Sequence, residues 1–268
     1  MSLSERYDTI VIGAGLGGLS TATYLSSRGQ KVLVLERRNI PGGYATSFVR
    51  GRFEFEASLH ELSSIGSPGN RGDLYEYLDG LGLTEHVEFV TLDEVYRSIF
   101  PGLDITLPVG REAFEQKLLE TFPHEREGIS TFLRRLDALH SDVMAIQKNA
   151  RNFRPKKHQA LLRFFPATYG QVLYRDVKDP LARAVLAQIW GYFGLAPKDV
   201  SFLYCGIGLY TYITYGPAYV VGRSQTLANA FSLVLAKNGG ELKLSTGVDR
   251  IVVQGGKATG IITEHGEA

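Results

Sequence analysis

The sequence predicts an α/β protein: a parallel strand–helix–strand unit near the N-terminus, interrupted by a long α+β insertion and resumed near the C-terminus. Three observations predict it. Residues 9–12 are an apolar run that stops at a glycine cluster, and residues 31–36 are a second such run. Between them, residues 16–28 carry Leu19, Ala22 and Leu25 roughly on one side of a helix, with Gly29 in the position that commonly ends one. Short unbroken apolar runs suit strands of a parallel sheet buried on both faces. The whole unit takes roughly 30 residues, the size of a parallel crossover.

Downstream, residues 37–58 read as a loop around Pro41-Gly42-Gly43, with a short alternating strand at Phe53-Glu54-Phe55-Glu56. Residues 74–83 read as a helix stopped by Gly82, and residues 87–90, 97–100 and 104–107 as strands of one small sheet. Residues 111–122 place Phe114, Leu118 and Phe122 at helical spacing. Pro123 opens a helix reaching to about residue 150, with Ile129, Phe132, Leu133, Leu136 and Leu139 inward. Residues 149–158 are a polar break, and 159–173 and 180–193 read as further helices. A helix at 226–236 ends at Asn238-Gly239-Gly240. Strands follow at 241–244, 248–253 and 257–263, the last two joined by Gln254-Gly255-Gly256-Lys257, where paired glycines allow two successive positive φ angles. The predicted organisation is one domain from residues 1–73 and 217–268, with a second, 74–216, inserted. His265-Gly266-Glu267-Ala268 reads as a turn just begun, so a native chain continuing past Ala268 is expected.

Composition narrows the function classes. Apolar residues are 44% of the 268, enough for a sizeable core and too many for a disordered chain. Lys and Arg number 29 against 28 Asp and Glu, a net +1 that leaves no nucleic-acid footprint. The single cysteine, Cys205, cannot form an internal disulfide and is expected to be a buried small residue; the six histidines are scattered, and no metal site is expected. A reducing, cytoplasmic setting fits, since residues 1–8 have none of the pattern of a secretory leader. Residues 201–222 carry no charge, but their glycines, Pro217 and Tyr204, Tyr210, Tyr212, Tyr215 and Tyr219 make them less aliphatic than a membrane span. Those tyrosines suit either an apolar substrate tunnel or a core of short strands. The phosphate-loop lysine motif, the zinc-protease helix and the serine nucleophile elbow are all absent from the sequence.

Gly13-Ala14-Gly15-Leu16-Gly17-Gly18 contains G-x-G-x-x-G between a strand and a helix, the context that gives the motif meaning. Gly13 permits the tight turn, Gly15 lets the backbone approach a pyrophosphate, and Gly18 lets helix and strand pack closely. The helix N-terminus adds free N–H groups and a positive dipole end. Glu36 closes the second strand, at about the 20-residue spacing of a carboxylate that accepts hydrogen bonds from ribose hydroxyls.

From Glu36 the sequence runs Glu36-Arg37-Arg38-Asn39-Ile40-Pro41-Gly42-Gly43-Tyr44, which with the first motif resembles the FAD-binding start of the flavin amine oxidase and phytoene desaturase superfamily. The resemblance implies a Rossmann-type FAD-binding domain with an inserted α+β substrate domain, in which Gly42 and Gly43 continue the pyrophosphate cradle, Arg37 and Tyr44 flank it, and Val248 meets the adenine through its backbone. Phe53 to His60, Leu107 to Gly110, Phe122-Pro123, Gly128-Ile129, Gln188 to Pro197 and Tyr219 to Leu227 are similar to the carotenoid desaturase, carotenoid isomerase and retinol saturase branch. That branch implies an oxidoreductase acting on carbon–carbon bonds of a small apolar substrate, a long polyene or isoprenoid. Its alternatives are a carotenoid cis–trans isomerase, an amine oxidase, or a non-catalytic prenyl-ligand binder like the Rab GDP-dissociation inhibitors. In such proteins a further FAD motif near the flavin ring follows beyond any segment present here. His60 is a weak candidate for a proton-handling role near the flavin. Two positions depart from the branch: Ser58, where it often has glycine, and Gly222-Arg223-Ser224, where it often has Gly-Gly-Ser. The arginine is expected to change the charge of the pocket or narrow it. Finally, Arg151, Arg154, Lys156, Lys157, His158 and Arg163 interleave with Phe153, Phe164 and Phe165. Such a segment is either a solvated linker or a peripheral contact with an anionic membrane surface.

Overall fold

The computed structural model describes residues 6–149, 151, 153–264 and 266. The strand–helix–strand unit is β1 (Thr9–Ile12), α1 (Leu16–Ser27) and β2 (Val32–Leu35). Two hairpins follow: β3 (Ser47–Arg50) with β4 (Phe53–Glu56), and the short β5 (Gly66–Ser67) with β6 (Asn70–Arg71). Next come α2 (Asp73–Gly80), β7 (Phe89–Thr91) and a longer hairpin, β8 (Glu94–Phe100) with β9 (Leu103–Pro108). The helical stretch is α3 (Arg111–Thr121), α4 (Arg126–Lys148), α5 (Gln159–Phe164), α6 (Tyr169–Asp176), α7 (Pro180–Leu186) and α8 (Phe202–Tyr215). The chain returns through β10 (Ala218–Val220), α9 (Arg223–Lys237), β11 (Glu241–Lys243), β12 (Val248–Gln254) and β13 (Lys257–Thr263).

The chain divides into two compact units. The first holds Met1–Leu62, Asp73–Val90 and Ala218–Ala268; the second holds Ser63–Gly72 and Thr91–Pro217. The boundaries drawn from sequence differ at two segments. Residues 73–90 pack with the first unit, where the Tyr77 hydroxyl lies 2.7 Å from Ser20 Oγ and Val221 N donates to Glu88 O at 2.9 Å. Residues 63–72 belong to the second, where Asn70 Nδ2 donates to the Thr214 carbonyl at 2.9 Å. Neither pairing has a local sequence signature.

In the first unit β2 is the central strand of a three-stranded parallel sheet, with β1 on one side and β11 on the other. Every β2 residue is buried, which is why this run has no polar alternation. One face is covered by α1 and α9, where Leu19, Ala22 and Thr23 meet a helix that buries Leu227, Ala228 and Phe231. The β12–β13 hairpin packs Ile261 and Val248 onto Leu33 and Leu35. Its turn has φ of 57° at Gly255 and 78° at Gly256, the two positive angles expected of the glycine pair.

The second unit is built around α3, α4 and α8, which bury Phe114, Leu118, Phe132, Leu136, Phe202 and Leu209. Cys205 is buried here, and burial pushes its thiol up to about 12, so it is an inert packing residue. Two sequence expectations are corrected. The helix expected at 159–173 is two helices, because Pro166 ends α5 and Thr168 restarts the chain with a capping box to Gln171. The strand expected at 87–90 does not join the β8–β9 hairpin; β7 pairs with β10. Of the tyrosine-rich stretch, where either a tunnel lining or short strands was open, Tyr204, Tyr210, Tyr212 and Tyr215 lie on the single helix α8, ended by Gly216, and Tyr219 lies in β10. Among the described residues no helix is long and apolar enough to cross a membrane. Residues 1–5, the expected helix end at Ala150, and His265, Glu267 and Ala268 of the expected final turn lie outside the described residues.

Candidate nucleotide cradle and apolar cavity

The glycine cluster and the Pro41-Gly42-Gly43 loop, far apart in sequence, form one construction. Gly13 turns the chain out of β1 at φ 95°, and its N–H donates to Leu35 O at 2.8 Å. Ala14 is fully buried; its N–H donates to Glu36 Oε2 at 2.7 Å, and its carbonyl accepts from Gly42 N at 2.7 Å. Gly15 and Gly42 then form a parallel bridge. A Cβ on Gly43 would lie 3.0 Å from Gly15 Cα, one on Gly42 2.5 Å from Ala45 O, and one on Gly18 only 2.0 Å from Gly13 O. These three glycines are demanded by the protein's own packing.

Gly15 and Gly17 are not. A Cβ on Gly15 would meet nothing nearer than Gly43 Cα at 4.0 Å, and one on Gly17 nothing within 4 Å. Gly15 is the N-cap of α1, contributes no side-chain cap, and has no acidic residue in the turn that follows. The first N–H groups of α1 therefore keep their hydrogen-bonding capacity and the positive end of the dipole. Open space beside a glycine, uncapped amides and no competing carboxylate in that turn fit a pyrophosphate. Leu16 and Gly17 open the helix at that point.

Glu36 is 9% exposed and held in place: Oε2 accepts from Ala14 N, and Oε1 from Arg38 N at 2.8 Å. A carboxylate offers about four lone-pair directions, so two backbone donors leave capacity for ribose hydroxyls. The other residues named from sequence are spread out. Arg37 pairs with Glu264 at 2.7 Å and its side chain is 70% exposed. Tyr44 is 84% exposed, and Val248 sits in the hairpin against Leu33 and Leu35. His60 is exposed, with Nδ1 3.2 Å from Ser58 O.

Two features escaped the sequence reading. On α9, Gln225 Nε2 donates to Pro41 O at 3.2 Å and to Asn229 Oδ1 at 3.0 Å, while its buried Oε1 has no partner. An orphaned acceptor beside the Pro41-Gly42 loop fits a site that receives a ligand donor. The second is a carboxylate clamp. Glu56 Oε1 accepts from Tyr219 Oη at 2.6 Å and from Ser224 N at 3.0 Å, and Oε2 accepts from Ser224 Oγ. Burial alone would raise the Glu56 carboxyl, but the Ser224 and Tyr219 bonds and the Arg223 charge hold it below the usual carboxylate range. Burial and the Glu56 bond push Tyr219 up to about 12, so it stays a donor at neutral pH. The only signal was the Phe-Glu-Phe-Glu alternation, which puts Glu54 and Glu56 on one face of β4. Arg223 occupies the left-handed region at φ 73°, next to Gly222 at 79°, which explains why glycine suits this position in similar sequences. Its Nε pairs with Glu54 Oε2 at 3.0 Å.

The second unit carries its own cavity of about 700 Å³, walled by α4, α5 and α8 and by Tyr192 and Phe193. Tyr204 and Tyr212 line it, whereas Tyr210 stacks on His140 at 3.8 Å and Tyr219 belongs to the Glu56 clamp. Among the described residues none of those lining it is charged. Near it, Lys156, Lys157, Arg163 and Phe165 are exposed, Phe165 by 68%, while His158 and Phe164 are buried. Among the described residues no three His, Cys, Asp or Glu side chains cluster as metal ligands would.

Residues 11–79, which span the cradle and Glu36, match the NAD(P)-binding Rossmann-like domain family. Along 98% of its length the chain is 27% identical to a chloroplastic prolycopene isomerase of Daucus carota, covering 44% of that protein. Along 94% it is 29% identical to a neurosporene-forming phytoene desaturase of Rhodobacter capsulatus, covering 48%. The chain is a homologue of carotenoid isomerases and desaturases. The same group includes the all-trans-retinol 13,14-reductase of Danio rerio, 26% identical over 98% of this chain and 45% of that one. The chain thus spans about half the length of the relatives it matches. Its fold is that of an oxidoreductase from Methanosarcina mazei, with TM-score 0.63 and 22% identity over 95% of this chain and 55% of that one. A Rab GDI from Plasmodium falciparum shares the fold, with TM-score 0.60 and 17% identity over 98% and 63%.

Proposed function

We propose that the chain is the nucleotide-binding and substrate-binding part of an FAD-dependent oxidoreductase acting on carbon–carbon bonds of a long apolar polyene or isoprenoid. The observation that carries this is the double glycine cradle closed on Glu36, in a homologue of carotenoid enzymes. FAD, when bound, supplies the hydride acceptor or donor. The protein's share is positional. The α1 amides and Gly15 hold the pyrophosphate, with Gly13, Ala14, Leu16, Gly17, Gly18, Gly42 and Gly43 shaping the loop. Glu36 holds the ribose. The orphaned Gln225 Oε1 takes a ligand donor. The uncharged cavity offers an apolar substrate an apolar wall. His60 is left without an assigned step.

The visible absorption spectrum of the purified protein, with and without added FAD, is the first test. A bound-flavin spectrum is expected, and its loss or weakening by at least about tenfold in Kd for Glu36→Ala, roughly 1.4 kcal/mol. Unchanged affinity would remove Glu36 as the ribose contact. Protein that takes up no FAD but binds prenylated ligands would instead favour a non-catalytic binder.

The match to prolycopene isomerases favours one second reading, cis–trans isomerisation of a polyene without net oxidation. Conversion of polyene isomers only after chemical reduction of the flavin would select it.

As a partner we propose an anionic membrane surface, from which an apolar substrate is taken. Exposed Lys156, Lys157 and Arg163 beside exposed Leu162 and Phe165 support it. Each basic residue near such a surface is worth about 1 kcal/mol. Lys156→Gln with Lys157→Gln is expected to lower sedimentation with phosphatidylserine vesicles by about tenfold or more at low salt. Equal sedimentation of variant and parent would sink the docking face.

A further inference from the structure

On α4, Thr131, Arg134 and Arg135 fall at i, i+3 and i+4, on one stripe of the helix. That stripe faces Gln159, Arg163 and Phe164 of α5 across a cleft of about 430 Å³. The cleft lies on the other side of α5 from the apolar cavity, which takes Leu161 and Phe165 of the same helix. Three arginines line the cleft, and among the described residues none of those lining it is acidic.

The guanidinium groups outnumber their counter-ions. Arg135 forks onto Asp176, Nε to Oδ2 at 2.5 Å and Nη2 to Oδ1 at 3.2 Å. Asp176, its side chain 5% exposed, also accepts from Arg175 Nε at 3.1 Å, so one carboxylate serves two guanidiniums. Arg134 is exposed and donates to the Thr131 hydroxyl at 2.9 Å. The carboxylate that feels its charge, Glu115, is already engaged by Arg111 and by the Ser130 hydroxyl. Arg163 is exposed, and its ring partner is Phe164. Arg163 and Arg135 both lie over the buried Phe164 ring, 5.7 and 5.8 Å from its centroid, so two like charges are held at one aromatic floor. Such charges repel, and a multivalent anion set among them turns the repulsion into attraction.

We propose that this cleft is a binding site for a phosphate monoester, held by Arg134 and Arg163 with Arg135 as the fixed wall. A phosphomonoester carries close to two negative charges at neutral pH and three strong acceptor oxygens. Guanidinium forks match those oxygens, and Arg134 and Arg163 keep most of their donors for them. A carboxylate or a phosphodiester brings one charge and two free oxygens, and leaves a guanidinium uncompensated. The same head comes from phosphatidate at a membrane surface or from a soluble phosphomonoester. The site is independent of the nucleotide cradle and of the polyene reading.

The test titrates the intact chain with glycerol 3-phosphate by calorimetry. It also sediments the chain with phosphatidylcholine vesicles carrying phosphatidate or, at matched surface charge, phosphatidylserine. Phosphomonoester binding is expected, seen in the vesicles as a preference for phosphatidate of at least about tenfold, the worth of a charge-assisted hydrogen bond. Glycerol 3-phosphate that binds as tightly as phosphatidate assigns the site to a soluble ligand. A soluble head weaker by about tenfold or more assigns it to the lipid. Arg134→Gln with Arg163→Gln, both exposed and outside the Asp176 pair, is expected to erase glycerol 3-phosphate binding and the vesicle preference without moving Tm. Lys156→Gln with Lys157→Gln is expected to weaken sedimentation with both vesicles alike and keep the preference, which separates general docking from the site. No heat from glycerol 3-phosphate together with no preference for phosphatidate overturns the proposal. So does binding or a preference that survives the double arginine variant.

Discussion

Gly18→Ala is expected to destabilise the first unit severely, while Gly15→Ala, three residues earlier, leaves stability unchanged and weakens nucleotide binding. The added methyl at Gly18 would lie 2.0 Å from Gly13 O, 3.2 Å from Gly13 C and 3.3 Å from Val11 Cγ1. Two of these atoms are backbone in a loop already pinned by the Gly13 N–Leu35 O bond, so relief requires moving β1 away from α1. Overpacking of this kind costs about 3 kcal/mol, or roughly 10 °C in Tm for a chain of this size. At Gly15 the backbone is at φ −69° and ψ 170°, open to any residue, and the new methyl has 4.0 Å to its nearest neighbour. Its thermal midpoint should stay within about 0.5 kcal/mol of the parent. The methyl would occupy the space a pyrophosphate needs, with a loss of at least about tenfold in FAD affinity. Calorimetry and flavin titration on the two variants separate a glycine kept for packing from one kept for a ligand. Normal FAD affinity in a folded Gly15→Ala protein would move the pyrophosphate away from α1.

Glu56→Ala is expected to cost about 3 kcal/mol, since it removes a charge-assisted bond set and the only side-chain acceptor on the Ser224 N–H at the start of α9. It leaves the Tyr219 hydroxyl without the carboxylate it donates to. It also leaves Arg223 in its left-handed conformation beside Glu54 alone. Because the folded Glu56 carboxyl lies below its unfolded value of 4.5, its contribution is complete above that value and is lost as pH falls through the folded pKa. The parent should therefore lose stability below about pH 4.5 more steeply than Glu56→Gln, which cannot titrate. Coincident acid limbs for the two proteins would show that Glu56 carries no charge-dependent stability. The clamp ties β4 to the start of α9, whose Gln225 and Ala228 lie against the Pro41-Gly42 loop, so Glu56→Ala should weaken flavin retention as well.

The strand–helix–strand unit, its glycine loop, Glu36 and the terminal hairpin were legible because each depends on neighbours within about 30 residues in sequence. Apolar runs have one cheap burial, a glycine cluster one useful geometry, and a Gly-Gly pair one favoured hairpin turn. The break at Pro166 belonged to the same local chemistry and was underweighted against hydrophobic periodicity. Tertiary structure alone decided the rest. The uncharged tyrosine-rich stretch became a helix because α8 packs its Phe202, Cys205 and Leu209 into the core formed with α4 and α6, a choice composition cannot make. The Glu56–Ser224 bond spans 168 residues, Gln225–Pro41 spans 184 and Asn70–Thr214 spans 144. No local preference encodes such distances. They form because burying the two units' cores brings those groups together, and once dehydrated each must find a partner. By itself the sequence determined a nucleotide-binding unit and the loop that builds its cradle. The folded chain decided which glycines are held by packing and which stand beside open space, which carboxylate ties β4 to α9, and where the second unit leaves an apolar cavity.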